Sequence, residues 1–443
     1  MPIRQLTSGA YGHMLTHAGV WLPDSRWIVY DTRRTLDGSV FDGTRIERVA
    51  VDTQQVEVLA NAPQQGCGVV TASPQDERIV FILGPFEPTP DWEYGAAHRQ
   101  GVVVRTTRPD AFELLDARNL TPPFTPGALR GGSHLHAFNC AGTLVSFTYE
   151  DAVLADQLGG PRTAATEKNL RGIGVSICGR AVQVPKTHPR NHDGTAFSVL
   201  VTELTDAPAP GSDEISRACE EAWIGTHGYR RSTGAWQANA IAFQGLVSTA
   251  TGEAISEVFV VDLPDNLALL QTGATAPIAG TLTRRPAVPC GASQRRITFT
   301  ATRKHPGISG PRHWLRSSPD GSQIACLMRT DAGHVQIHAV SPNGGEPRQI
   351  THDPWSISSA FTWSPDGSQL ACIADGSVLA IDVASGQSRR LTHPVSGRAG
   401  PRPEACVFSP DGKHVAFMQP VLSTADGLPE AGQFYNQIFI VDV

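Results

Sequence analysis

Residues 310–329 read GPRHWLRSSPDGSQIACLMR, and the fold turns on how this stretch is read. Asp-Gly behind a proline is a tight-reversal signal, and strand-forming residues follow it, so the stretch reads as a β-hairpin. The hairpin opens a longer unit, HWLRSSPDGSQIACLMRTDAGHVQIHAVSPNGGEPRQIT, starting at residue 313. AFTWSPDGSQLACIADGSVLAIDVASGQSRRLT follows from residue 360, then ACVFSPDGKHVAFMQP from residue 405, and the chain ends in NQIFIVDV. Each unit reads as a strand, an SPDG turn, a second strand, a loop, a third strand, a turn and a fourth strand ending in Arg-x-(Leu/Ile)-Thr.

Pro319, Pro365 and Pro410 are spaced as the blades of a β-propeller are spaced. The last unit stops after its third strand, while RQLT at residues 4–7 matches RQIT at 348–351 and RRLT at 389–392. The N-terminal strand is therefore expected to complete the last blade, removing the open sheet edges that invite aggregation. Four weaker units are traceable upstream: VWLPDSRWIVYDTR, VVTASPQDERIVFILG, HAFNCAGTLVSFTYED and EAWIGTHGYRRSTGAWQANAIAF. The expected architecture is all-β, a single seven-bladed β-propeller over residues 1–443, with six blades as the alternative. An insertion over about 156–195 is expected in the third blade, and an enlarged first turn in the fourth.

Composition agrees with this reading. The chain has 443 residues, 40% apolar and 18% charged, with 43 glycines and 33 prolines, which favours short strands and turns over helices. A net charge of -6 gives no general attraction to nucleic acid or an anionic membrane. No secretory leader or membrane-spanning run is read, and the expected location is cytoplasmic. The eight cysteines are scattered without a CxxC pair, and Cys326 and Cys372 recur at one repeat position, as buried strand residues do.

The SPDG units resemble the TolB-type, WD40-like repeats of bacterial propellers over nearly the whole chain. TolB itself is six-bladed in this domain and carries a separate N-terminal domain, and this chain departs from it in both respects. The opening RQLT…GH, with VWLPD and YDTR behind it, resembles an uncharacterised bacterial family of TolB-like propellers. In repeat type and histidine placement the chain also resembles oligogalacturonate lyase, a seven-bladed, metal-dependent enzyme of pectin breakdown. That resemblance assigns no ligand residue here.

Counting six residues back from each turn proline, or its equivalent, gives His17, His134, His313 and Glu404 in four blades. If equivalent positions ring the channel, these four form a candidate site for a divalent Mn, Zn or Fe ion. His134 and His136 stand two apart and would share one side of a regular strand. Loops on the same rim offer Asp31 and Arg33, Glu150, Trp92, His98 and Arg99, with His13 and Glu221 near the ring. The chemistry these types suggest is a lyase reaction on a uronate-containing or oxidised sugar. The metal would bind the sugar carboxylate, His136, Arg33 or Glu150 would move the proton, and His13, Asp31, Trp92, His98, Arg99 and Glu221 would bind substrate. The alternative is a non-catalytic propeller that binds a protein or peptide on the same face. Paired surface charges and strand-end histidines with structural duties are the plainer explanation for any one of these residues taken singly.

Overall fold

The computed structural model describes residues 3–9, 11–156, 163–274, 276–310, 314–422 and 433–443. Among these residues the strands form seven four-stranded antiparallel sheets, arranged as the blades of a β-propeller, and almost no helix. Blades are numbered here from the N-terminus. Their innermost strands are Gly12–Met14, Cys67–Ala72, Gly131–Phe138, Ile215–Trp223, Arg316–Ser317, Thr362–Trp363 and Cys406–Phe408. No helix among the described residues is long and apolar enough to cross a membrane.

The expected closure is present. Ile3–Gln5 pairs antiparallel with Phe434–Asp442, Arg4 opposite Ile440, as the outer strand of blade 7. Both repeat motifs have a hydrogen-bonding reason. In the SPDG turns, the Ser318, Ser364 and Ser409 hydroxyls each donate to the turn aspartate at 2.6 Å. Each serine oxygen also accepts the amide five residues on, at 2.9–3.0 Å. Gly321, Gly367 and Gly412 follow with φ near +73°, a region open to glycine without strain.

The Thr of Arg-x-(Leu/Ile)-Thr accepts a third-strand amide of its own blade. Ile438 donates to Thr7, Ile337 to Thr351 and Val378 to Thr392, at 2.9–3.0 Å. Thr298, which ends Arg295-Arg296-Ile297-Thr298, does the same in blade 4, and Thr202 does so in blade 3 without the flanking arginine motif. A hydroxyl there satisfies a buried N–H at the point where the outer strand departs.

The core lies between blades. One apolar cluster fills each interface, such as Ile173, Phe243 and Phe259 between blades 3 and 4, or Val20, Tyr30 and Ile440 between blades 7 and 1. Cys326 and Cys372 are fully buried in two of them. The cluster between blades 2 and 3 is small: Val80, Val103, Leu115, Phe138, Val145 and Ala196. A buried polar network supplements it. Asp116 accepts from Ser133 at 2.6 Å, Ser176 at 2.8 Å and Ser198 at 2.7 Å. Burial opposes charge on Asp116, but these hydrogen bonds and nearby His136 outweigh it and hold the carboxyl below its ordinary range.

One local expectation is revised and another gains detail. The stretch expected as an insertion in blade 3 supplies its third strand, Gly172–Val182, which pairs with Gly194–Leu200. The enlarged first turn of blade 4 carries its own small hairpin, Tyr229–Arg230 against Trp236–Gln237.

The innermost strands of blades 2, 3 and 4 share an irregularity. Each has a register shift above its turn, between Gly68 and Thr71, His134 and Ala137, and Cys219 and Ala222. Val69, Leu135 and Glu220 sit there at φ +59°, +58° and +58°. Left-handed backbone at non-glycine residues costs energy and persists only where surrounding structure imposes it. Among the described residues, the innermost strands of blades 1, 5, 6 and 7 show no such compact shift. In blade 1, Met14 pairs with Asp31 and Trp21 with Ile28, so residues 15–20 loop out opposite only two residues.

Candidate functional site in the central channel

Two cavities follow one another along the central axis. Beside the SPDG turns lies a space of about 440 Å³, lined by Trp21, Trp223, Trp363, Phe138 and Phe408 with the turn prolines. Indole nitrogens stitch blades together at this level: Trp21 donates to Val407, Trp223 to Ala137 and Trp363 to Arg316, each to a backbone carbonyl at 2.9–3.1 Å. Deeper in the channel is a second cavity of about 210 Å³. Its lining includes Thr16, His17, Thr71, His136, Glu221, Trp314 and Arg316.

The second cavity gathers chemistry. Arg316 is buried, and its guanidinium donates to the His17 ring at Nδ1, to the Leu315 carbonyl at 2.6 Å and to the His17 carbonyl at 3.2 Å. Among the described residues its Nε has no hydrogen-bond partner. Burial lowers the Arg316 pKa to about 10, with Glu220 and Glu221 opposing, so the group stays charged at neutral pH. The His17 ring stacks on Trp314 at 4.1 Å, which fixes its plane. Glu221 is buried, accepts from the Thr148 hydroxyl at 2.9 Å, and leaves Oε1 without a partner. Burial raises its pKa to about 7. One small cavity thus holds a fixed cation, an imidazole, an indole and a carboxyl that gives and takes a proton near neutral pH.

Counting six residues back from the turn does not yield equivalent positions. His17 falls in the loop-out of blade 1, whereas His134 lies on a strand opposite Thr148. His313 lies outside the described residues. Glu404 receives Arg402 at 3.0 Å. His134 is buried and is not among the residues lining the second cavity. Among the described residues, no three His, Cys, Asp or Glu side chains come close enough together to hold a metal ion. The expectation that His134 and His136 share one strand side also fails, because Leu135 between them turns the backbone left-handed. The His136 ring lies between blades 2 and 3, 3.0 Å from Ser133 Oγ and 3.9 Å from Asp116, and the residue also lines the second cavity.

The other expected residues are engaged elsewhere. Arg33 donates to Asp31 at 2.5 Å, with both buried, and Gly68 leaves the room for them; a Cβ there would stand 2.3 Å from the guanidinium. Burial raises the Asp31 pKa against the pull of Arg33. Glu150 holds Arg171 at 2.6 Å. Trp92, expected as a stacking surface, is only 5% exposed and lies against the His98 ring at 3.7 Å. His98 in turn is 2.6 Å from Asp156. The ring of His13 bonds Thr7 and Gln437, both at 2.9 Å, so this histidine fastens blade 1 to the closing blade. Burial lowers its pKa to about 4.

Arg316 and Trp314 carry the site but were not singled out from the sequence. A signal was available three residues before each turn proline. There the chain has Val20, Thr71, Ala137, Thr362 and Val407 in sister blades, and an arginine in blade 5 alone among these six. Below the register shifts the count is regular, so this position is comparable between blades.

A protein-family model described as "Protein of unknown function (DUF3748)" matches residues 66–192. The chain is 42% identical over 419 residues to "Uncharacterized protein YidR" of Escherichia coli (strain K12), across 94% of this chain and 95% of that protein. Among solved structures, oligogalacturonate lyase in complex with manganese superposes with a TM-score of 0.53 at 12% identity, over 100% of this chain and 93% of that one. Oligogalacturonate lyase from Vibrio parahaemolyticus gives 0.51 at 12%, with the same coverage. At such identity the likeness shows a shared fold.

Proposed function

The chain belongs to the DUF3748 family together with YidR, and we propose that its channel binds a carboxylate-bearing sugar of the uronate class and cleaves it as a lyase. The observation carrying this reading is the presence of Arg316 and Glu221 in one 210 Å³ cavity. A guanidinium suits a carboxylate because its planar fork donates two parallel hydrogen bonds. Holding the substrate carboxylate on Arg316 would withdraw charge from the carbon beside it and make the α-proton easier to remove.

Glu221, half ionised near pH 7, is matched to that proton transfer. In the step proposed, Glu221 takes the α-proton and the C–H pair becomes a new C=C bond. The glycosidic oxygen on the adjacent carbon leaves with its bonding pair and recovers the proton from Glu221. His17 and Trp314 would shape the pocket around the ring. No step here is routed through a metal, because the described residues do not assemble a donor set. The ligand set expected from sequence, His17, His134, His313 and Glu404, stands or falls by metal analysis of untagged protein.

Trp314 and Trp223 border the cavity, so uronate binding should change the intrinsic fluorescence. Turnover of uronate oligosaccharides should raise the ultraviolet absorbance of an unsaturated product. Arg316→Gln should weaken binding at least tenfold, and Glu221→Gln should bind but not turn over. Binding without product in the wild type would remove the lyase assignment and leave a carboxylate-binding propeller. Absence of binding would end the reading altogether.

A further inference from the structure

Arg316 does not account for a second group of cations beyond the register shifts of blades 3 and 4, on the side away from the SPDG turns. The backbone of Arg99 abuts the innermost strand of blade 3, where a Cβ on Gly132 would stand 2.9 Å from the Arg99 amide nitrogen. Gly132 pairs with Glu150, and Glu150 holds the Arg171 guanidinium at 2.6 Å. The Arg171 carbonyl accepts the amide of Ala218 at 2.9 Å, next to Arg217 on the innermost strand of blade 4. These links gather Arg99, Arg171, Arg217 and His134 at the same end of two adjacent inner strands.

Their occupancy differs. Arg171 is committed to Glu150, whereas Arg99 and Arg217 form no ion pair among the described residues. Arg99 packs over the Tyr94 ring at 5.2 Å, and its Nε is buried without a partner. Arg217 is exposed. His134 is 7% exposed, and among the described residues its Nδ1 has no partner. Burial, with Arg99, Arg171, His136 and Arg217 around it, keeps that ring neutral. Glu220 and Glu221 face the same neighbourhood from further down blade 4. Two guanidiniums without ion-pair partners among the described residues, both acting on the His134 ring, raise the positive potential at this end of the inner strands.

We propose that Arg99 and Arg217, with the His134 ring, form a second anion subsite, so that the ligand seated on Arg316 carries at least two separated negative groups. This rests on the channel reading above and narrows its ligand to a dianion or longer polyanion.

The test compares galacturonate with its dimer by the initial tryptophan fluorescence change on mixing with the full chain, read before turnover, at low and moderate salt. The wild type should bind the dimer about tenfold or more tighter than the monomer, with a steeper salt dependence. The Arg99→Gln/Arg217→Gln double variant should bind the monomer as the wild type does and lose the dimer's advantage. Arg99→Lys/Arg217→Lys, which keeps the charges, should restore part of it. A wild type that binds monomer and dimer alike would overturn the subsite, as would a double variant that keeps the advantage. Failure of the wild type to bind either sugar, or monomer binding undiminished in Arg316→Gln, would instead overturn the channel reading and the subsite with it.

Discussion

Glu221 and His13 show how burial, together with the partners each side chain keeps, separates two titrating residues into different roles. Glu221 keeps one oxygen free in the channel cavity and titrates near 7, whereas His13 spends its Nδ1 on the closing blade and titrates near 4. If Glu221 is the base, kcat/KM should rise with pH through about 7, and Glu221→Gln should abolish that limb. Stability gives an activity-independent check. Its raised pKa means the folded protein takes up the proton first, so its contribution is full below about 4.5 and is lost as pH rises through 7. Glu221→Gln should therefore gain stability relative to wild type between pH 5 and pH 8, by up to ~3 kcal/mol in urea titrations. His13 has the opposite sign. Its lowered pKa means the unfolded chain protonates first, so stability is full above about 6.5 and falls towards pH 4. His13→Gln should flatten that acid limb relative to wild type by roughly 3 kcal/mol at most.

Among elements, the turn and the outer strand were legible because local chemistry fixes them. SPDG supplies the serine, aspartate and glycine that the reversal uses, and Arg-x-(Leu/Ile)-Thr supplies the hydroxyl that caps the third strand. Thr351→Val keeps shape but strands the Ile337 amide and the Gln336 side-chain oxygen in the core. It should lower stability by about 2 kcal/mol, read as a reduced denaturation midpoint at unchanged slope. The register shifts at Val69, Leu135 and Glu220 were not legible. Nothing in the local sequence of these non-glycine residues announces a left-handed backbone.

Over the whole molecule, ring closure couples the chain ends. Thr7 accepts the Ile438 amide and donates to Gln437, and His13 bonds both side chains. Removing residues 1–7 should open blade 7 to a three-stranded sheet with a bare edge. The expected result is a lower, broader thermal transition and concentration-dependent association by light scattering; a truncated protein that melts like the full chain would contradict closure. The sequence by itself determined the blade repeat and the closing strand, because hydrogen bonding within one hairpin or one motif specifies each of them; it left seven blades against six, and the structure has seven. Only the tertiary structure decided which residues share the channel. A one-residue shift above the turns of blades 2, 3 and 4, and a six-residue loop-out in blade 1, break any count carried along the strand. Thus His17, Glu221, Trp314 and Arg316 meet in one cavity, while His13, Trp92 and Arg33, as plausible in sequence, are held by partners between or beside the blades.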